Sequence, residues 1–278
     1  MIVAVAYGSF KASRGAAAPG FSGIGPCPTA GRTHFSMPMF TMLRRTATLM
    51  ALLMPAGLLL AAGPTPHGVA HTVPDTMAQR MLACTACHGE QGRATNAGYF
   101  PRIAGKPAGY LYNQLVHFRA GRRNNVGMAS LLDSLSDDYL REIAAHFASL
   151  DLPYPAPLRS DAPAAVLQRG ETLALRGDKA RDVPACVACH GQALTGVSPA
   201  IPGLLGLPRD YLIGQLGAWQ TGLRRASAPD CMGHVAQRLS GGDVSAVASW
   251  LASQPLPANT HPAPATAEPL PLRCGSGG

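Results

Sequence analysis

The sequence predicts an all-α protein made of two tandem copies of one small helical domain. Three observations carry this. The pentapeptide Cys84-Thr-Ala-Cys-His88 returns as Cys186-Val-Ala-Cys-His190, and matched residues follow both copies. Apolar residues in both copies recur at i, i+4 and i+7, the spacing of an amphipathic helix. No stretch shows the apolar–polar alternation of a strand.

The chain has 278 residues, room for about two domains. Hydrophobic residues make up 47% and charged residues 14%, against about 25% charged in a typical soluble domain. That excludes a charge-rich disordered protein and argues against a nucleic-acid partner, although the net charge is +8. Gly and Pro number 31 and 25, which predicts long irregular connections.

Residues 1–41 lack periodicity and read as a non-native or disordered extension, from a start codon placed too far upstream. Residues 42–70 read as a signal peptide. Arg44 and Arg45 precede the uncharged run 46–62, and Gly68-Val69-Ala70 fits a small-x-small cleavage pattern. Pro55 interrupts the run, which is short for a membrane span. Removing residues 1–70 takes away five basic residues and no acidic one, so most of the excess charge belongs to the precursor. Cys27 leaves as well.

The first domain is placed at 71–151 and the second at 164–255. Pro101-Arg-Ile-Ala-Gly105 matches Pro202-Gly-Leu-Leu-Gly206. Tyr110-Leu111 with Gln114-Leu115 and Phe118 matches Tyr211-Leu212 with Gln215-Leu216 and Trp219. Gly121-Arg122-Arg123 resembles Gly222-Leu223-Arg224-Arg225, and Met128 matches Met232. Short helices are expected around 76–82 and 164–175, before each cysteine motif. Leu111, Leu115 and Phe118 predict a longer helix, as do Leu212, Leu216 and Trp219. Leu140, Ile143, Ala144 and Phe147 predict the last helix of the first unit, starting at Ser136, Asp137 and Asp138. Val244, Val247, Ala248 and Leu251 repeat that pattern. The proline-rich segment 152–163 reads as an extended, fairly stiff linker, and the Pro- and Ala-rich segment 256–278 as a disordered tail. Units this small have thin cores and need something large and apolar at the centre.

In an exported protein, Cys-x-x-Cys-His is the pattern of covalent haem attachment. Cys84, Cys87, Cys186 and Cys189 would form thioethers, and His88 and His190 would come under the two irons. A thioredoxin-like pair would need a βαβ context, and zinc would need the motifs to converge. The sixth ligand of an electron carrier is commonly methionine, which raises the potential. Met77 and Met81 fall on the helix leading into the first motif, so Met128 and Met232 are the candidates. His117, His146 and His234 are the alternatives, and His234 is the closest rival.

The pattern Cys-x-x-Cys-His-Gly, Pro-x-x-x-Gly, Tyr-Leu-x-x-Gln-Leu, an arginine pair and then Met resembles class I c-type cytochromes. Two fused copies resemble the dihaem cytochrome c4 group, over about residues 75–253. The resemblance implies two tandem class I cytochrome c domains, each wrapped around one of two covalently attached haem c groups. It implies that the carbonyls of Pro101 and Pro202 accept the ring protons of His88 and His190. Tyr110, Tyr211, Trp219 and the arginine pairs would lie at the haem edges, with the arginines near the propionates. The second unit departs from the pattern in Cys231, directly before Met232. It is either a small buried thiol or, in an oxidising compartment, a partner for Cys274.

With two His/Met irons, no position is open for substrate, so the expected role is a periplasmic carrier of single electrons rather than an enzyme. The resemblance implies redox partners: a quinol-oxidising complex or a dehydrogenase as donor and a terminal oxidase as acceptor. Peripheral association with the membrane is compatible with that role. The alternatives are a haem subunit of a periplasmic dehydrogenase and a dihaem peroxidase-type enzyme.

Overall fold

The four helices expected from apolar periodicity form, and Ser136 and Ser240 cap two of them. The computed structural model describes residues 73–95, 98–157, 159–265 and 267–277. The extension 1–41 and the signal peptide 42–70 lie outside the described residues. The first half contains α1 (Met77–Arg80), α2 (Leu82–His88), α3 (Ala108–Arg119), α4 (Val126–Leu132) and α5 (Asp137–Ala148). The second contains α6 (Ala164–Leu175), α7 (Val187–His190), α8 (Arg209–Gln220), α9 (Cys231–Arg238) and α10 (Gly241–Ser253). Between α7 and α8 a hairpin pairs Gly196–Val197 (β1) with Ile201–Pro202 (β2), antiparallel, the one sheet among the described residues.

Each half has its own small core. At the start of α5 the Ser136 hydroxyl accepts the Tyr139 N–H at 3.2 Å, and Asp137 and Asp138 face the positive end of the helix dipole. Leu140, Ile143, Ala144 and Phe147 are then all buried against Met81, Leu111 and Leu132. In the second half, a capping box between Ser240 and Asp243 starts α10. Val244, Val247, Ala248 and Leu251 pack on Leu173 and Ala174 of α6. The two helices cross at Gly170, where a Cβ would lie 2.2 Å from the Ala246 carbonyl oxygen. Asp243 locks this crossing, accepting from Arg169 Nε and Arg181 Nη1 at 2.7 Å each. Burial pushes its carboxyl pKa upward, but Arg181, Ser240 and Arg169 outweigh burial and hold it well below the usual carboxylate range.

The halves share one compact unit, Gly68–Gly278. The segments after α3 and α8 pair across a near-twofold seam. Asn124 N–H donates to the Leu223 carbonyl at 3.1 Å, and Arg225 N–H to the Arg122 carbonyl at 2.7 Å. The linker is held at its start. The Arg102 guanidinium donates to the carbonyls of Leu152 and Pro153 and lies 3.8 Å over the Tyr154 ring.

The C-terminal segment corrects an expectation. Residues 256–278 were expected to be disordered on composition, but those described, up to Gly277, are folded onto both halves. Ala263 exchanges backbone hydrogen bonds with the hairpin: its N–H donates to Gly196 O at 2.9 Å, and its carbonyl accepts Ser198 N–H at 2.8 Å. Ser276 O accepts from Asn113 Nδ2 of α3 at 3.1 Å, and Ser276 Oγ accepts the Ser227 N–H at 3.1 Å. Cys231 and Cys274 form a disulfide, which decides between the two roles open for Cys231. A proline-rich segment has no periodicity of its own, so its order comes from partners that composition does not reveal.

The disulfide closes a loop with a sequence separation of 43 residues. Replacing both cysteines by serine is expected to lower the unfolding free energy by about 4 kcal/mol on the chain-entropy model. Guanidinium titration of the haem-loaded protein under oxidising conditions checks this; an unchanged midpoint would contradict it.

Candidate functional site

Both cysteine motifs open into one cavity of about 1440 Å³ that runs through both halves. Its wall is mainly apolar, with Leu111, Leu132 and Phe147 on one side and Leu212, Val247 and Leu251 on the other. Cys84, Cys87, His88 and Met128 line it in the first half, and Cys186, Cys189, His190 and Met232 in the second.

The motifs sit on α2 and α7, so each histidine is one step past its cysteines on the same turn. The four thiols are not in disulfides. Burial pushes the Cys186 thiol up to about 12 and also raises Cys84 and Cys189. These are protonated thiols in apolar surroundings, the opposite of the low-pKa thiolate that a thioredoxin-like pair needs. Among the described residues, no three His, Cys, Asp or Glu side chains come together as a zinc site would require.

After each histidine the chain turns sharply at a glycine, Gly89 (φ 78°) and Gly191 (φ 81°). A Cβ on Gly89 would lie 2.2 Å from the Ala94 carbonyl oxygen, so glycine is required there. The turn returns the chain to the ring. His88 Nδ1 donates to Pro101 O at 2.9 Å, and His190 Nδ1 donates to Pro202 O at 2.7 Å. A proline carbonyl can only accept, so the proton sits on Nδ1 and the Nε2 lone pair is free for a metal. Burial holds both imidazoles below their ordinary pKa, against the raising effect of those bonds.

Met128 and Met232 each lie in the first turn of a short helix, three residues past its cap in α4 and two in α9. Asn125 caps α4, its side chain accepting the Met128 N–H at 2.9 Å. Asp230 caps α9, accepting the Gly233 N–H at 2.8 Å. Periodicity could not find these helices, because they span only seven and eight residues. Of the three rival histidines, His234 donates from Nε2 to the Asp182 carboxylate at 2.9 Å, and neither it nor His146 is on the cavity wall. His117 is on the wall, buried where the halves meet, with Nε2 3.2 Å from Ser227 Oγ.

At the seam the repeat becomes an interlock. Arg123 donates to Gln114 at 3.1 Å and to Gln215 of the other half at 2.7 Å. Arg224 does the converse, donating to Gln215 at 2.7 Å and to Gln114 at 3.0 Å. Arg123 lies over Phe118 at 4.3 Å and Arg224 over Trp219 at 3.8 Å. The glutamines were visible in the repeat, but their reach across it was not. Burial, then Arg123, lowers the Arg224 pKa. Trp219 Nε1 is also buried without a hydrogen-bond partner. An apolar cavity edged by a buried and a half-buried guanidinium, Arg224 and Arg123, and a free indole N–H fits a flat apolar macrocycle with anionic substituents at one edge. Together with paired thiols and an imidazole nitrogen on the same turn, that is the fit of one haem c per half.

No family model matches the chain. A protein of Stutzerimonas stutzeri named thiosulfate dehydrogenase electron acceptor is 42% identical over 173 residues, 62% of this chain and 79% of that one. Cytochrome c4 of Pseudomonas aeruginosa is 34% identical over 198 residues, 70% of this chain and 94% of its own. Among solved structures, reduced recombinant cytochrome c4 from Pseudomonas stutzeri superposes with a TM-score of 0.55 at 31% identity, covering 63% of this chain and 95% of that one. A thiosulfate dehydrogenase from Marichromatium purpuratum superposes with a TM-score of 0.56 at 37% identity over 62% of this chain. This chain spans only 36% of that one.

The buried His117 gives a pH prediction. Burial, followed by Arg122, Arg224 and Arg123, brings its pKa down to about 4 from an ordinary 6.5. The folded state keeps it neutral while the unfolded chain takes up a proton, so its contribution is intact above pH 6.5 and is lost as pH falls towards 4. Denaturant midpoints measured across that window should fall less steeply in His117→Gln than in the parent. Parallel curves would show that His117 is not the group responsible.

Proposed function

The chain belongs to the cytochrome c4 family of dihaem class I c-type cytochromes, and from that premise we propose that it takes single electrons from a thiosulfate-oxidising dehydrogenase in the periplasm. The family makes it a carrier of two covalent haem c groups whose role is electron transfer. The donor is read from the 42% identity to a protein named as the electron acceptor of thiosulfate dehydrogenase, the observation that carries this proposal. The onward acceptor is a terminal oxidase or another respiratory redox protein. No helix among the described residues is long and apolar enough to cross a membrane.

Each haem, when bound, supplies a one-electron iron couple. The chain's own residues set the conditions for it. Cys84 and Cys87, and Cys186 and Cys189, hold the group covalently. His88 and His190 offer Nε2 to iron, with the tautomer fixed by Pro101 and Pro202. Met128 and Met232, which line the same cavity, would supply the sixth ligand of each iron, and a thioether there favours the reduced metal. With Met128 and Met232 in that role neither iron would be open to substrate, which supports a carrier over a peroxidase. The apolar wall excludes water, so little solvent reorganises when charge changes. The shared cavity brings the two groups into one low-dielectric space across the Arg123–Arg224 seam.

The second reading is a subunit held permanently by its dehydrogenase. The superposition on a longer thiosulfate dehydrogenase chain favours it. The two readings separate by association: a carrier gives saturable, salt-sensitive reduction by the enzyme without co-elution, whereas a subunit co-elutes.

Two measurements test the proposal. Mixing the oxidised haem-loaded protein with thiosulfate and a thiosulfate dehydrogenase in a stopped-flow instrument should reduce both haems within seconds, far faster than thiosulfate alone. Equal rates with and without the enzyme would overturn the donor assignment. Met128→Ala and Met232→Ala should each remove about half of the long-wavelength iron–thioether band of the ferric protein, there being one ligand per haem. Persistence of the full band in either variant would overturn that ligand.

A further inference from the structure

Lys106 is the seam residue that the repeat does not explain. Gly105-Lys106-Pro107 aligns with Gly206-Leu207-Pro208, so the counterpart of Lys106 is an apolar side chain in the second core. Lys106 leaves its own half. Its Nζ lies on the wall of the shared cavity and donates to the Gly203 carbonyl of the second half at 3.3 Å. The preceding residue, Pro202, carries the carbonyl that accepts the His190 Nδ1–H at 2.7 Å. Lys106 is 5% exposed, and no carboxylate pairs with it among the described residues. Its other neighbours are the Tyr154 ring, 6.0 Å away, and the Arg102 guanidinium stacked on that ring.

We propose that Lys106 is a positioning residue of the first half that selectively raises the reduction potential of the haem bound through His190, making the second half the resting place of a single electron. A fixed cation in a low-dielectric site opposes the extra positive charge of ferric iron. By polarising the backbone next to Pro202, it also weakens the acceptor that makes His190 a stronger donor to the metal. The effect is one-sided. Lys106 Nζ contacts the backbone beside Pro202 in the second half, whereas its repeat counterpart Leu207 is an apolar side chain in the second core. Burial and Arg102 bring the Lys106 ammonium down to about 8, so it remains mostly protonated at neutral pH.

The inference rests on His190 and His88 each holding one haem, and on Met128 ligating the first. The test is spectroelectrochemical titration of the haem-loaded full chain, resolved into two one-electron waves. Met128→His, a weaker stabiliser of the reduced metal, marks the wave of the first haem by moving it down; if it moves neither wave or both, the ligand assignment fails. Lys106→Met is expected to lower the other wave by about 59 mV, a tenfold change in the equilibrium between the haems. Lys106→Arg, which keeps the charge, should restore most of it. Two haems by mass and an unchanged melting temperature show that the variant folds, and Lys106→Gln serves if the Met variant does not. Both waves shifting equally, only the Met128-marked wave shifting, or neither shifting under a charge-removing substitution would overturn the role of Lys106.

Discussion

Each half of this chain buries few side chains of its own, and the cavity left between its helices is the constraint on which the rest depends. The first core rests on Met81, Leu111, Leu132 and the buried face of α5, and the second on α6 and α10. At about 1.5–3 kcal/mol per large apolar side chain, cores of this size barely offset the entropy of ordering units of some 80–90 residues. A haem c in each half completes the apolar packing, so the cofactor is a structural member as well as a redox centre. This is why the cysteine motifs, the two histidines and Met128 and Met232 all converge on the cavity wall. Each of them fixes a group that the fold also needs as core.

Duplication adds a second constraint at the seam. Two repeat-equivalent arginines meet there as like charges, Arg224 buried and Arg123 half-buried. Neutral acceptors shared across the seam, Gln114 and Gln215, satisfy their donors. Phe118 and Trp219 provide the faces on which the guanidiniums stack. Neutral partners satisfy geometry but leave the charge uncompensated, and an anion at the cavity edge would compensate it. An anion bound at the cavity edge would therefore strengthen the seam.

Much of this was legible in the sequence where the signal repeats. The long helices α3, α5, α8 and α10 have apolar residues at helical spacing, and burial against a core enforces that spacing. The motif residues were legible because thioether attachment and axial ligation need a fixed spacing along one turn. The short helices α4 and α9 were not, because each is set by one capping side chain, Asn125 or Asp230, rather than by periodicity. The C-terminal segment was misjudged for a related reason. Its order comes from Cys274, from pairing with the hairpin and from Ser276, all long-range partners that local composition cannot display. His117 looked like an unmatched residue and proved to be buried where the halves join, a position that exists only after the two copies dock.

The features unique to one half are what turn a duplicated protein into a directed one. A perfect twofold repeat would hold two identical sites, and an electron would have no preferred side. Three departures from symmetry fall on the second half. Lys106 reaches its proximal side from the first half. The strand-like contact of Ala263 backs the hairpin that carries Pro202, and the Cys231–Cys274 disulfide ties down the turn that presents Met232. Among the described residues no disulfide holds the helix of Met128, which carries the exposed Val126 and Leu131. On the proposed role of Lys106, a fixed charge beside His190 and a fastened Met232 would set the second site apart from the first. Asymmetry laid over a symmetric seam thus gives the chain a direction that neither half has alone.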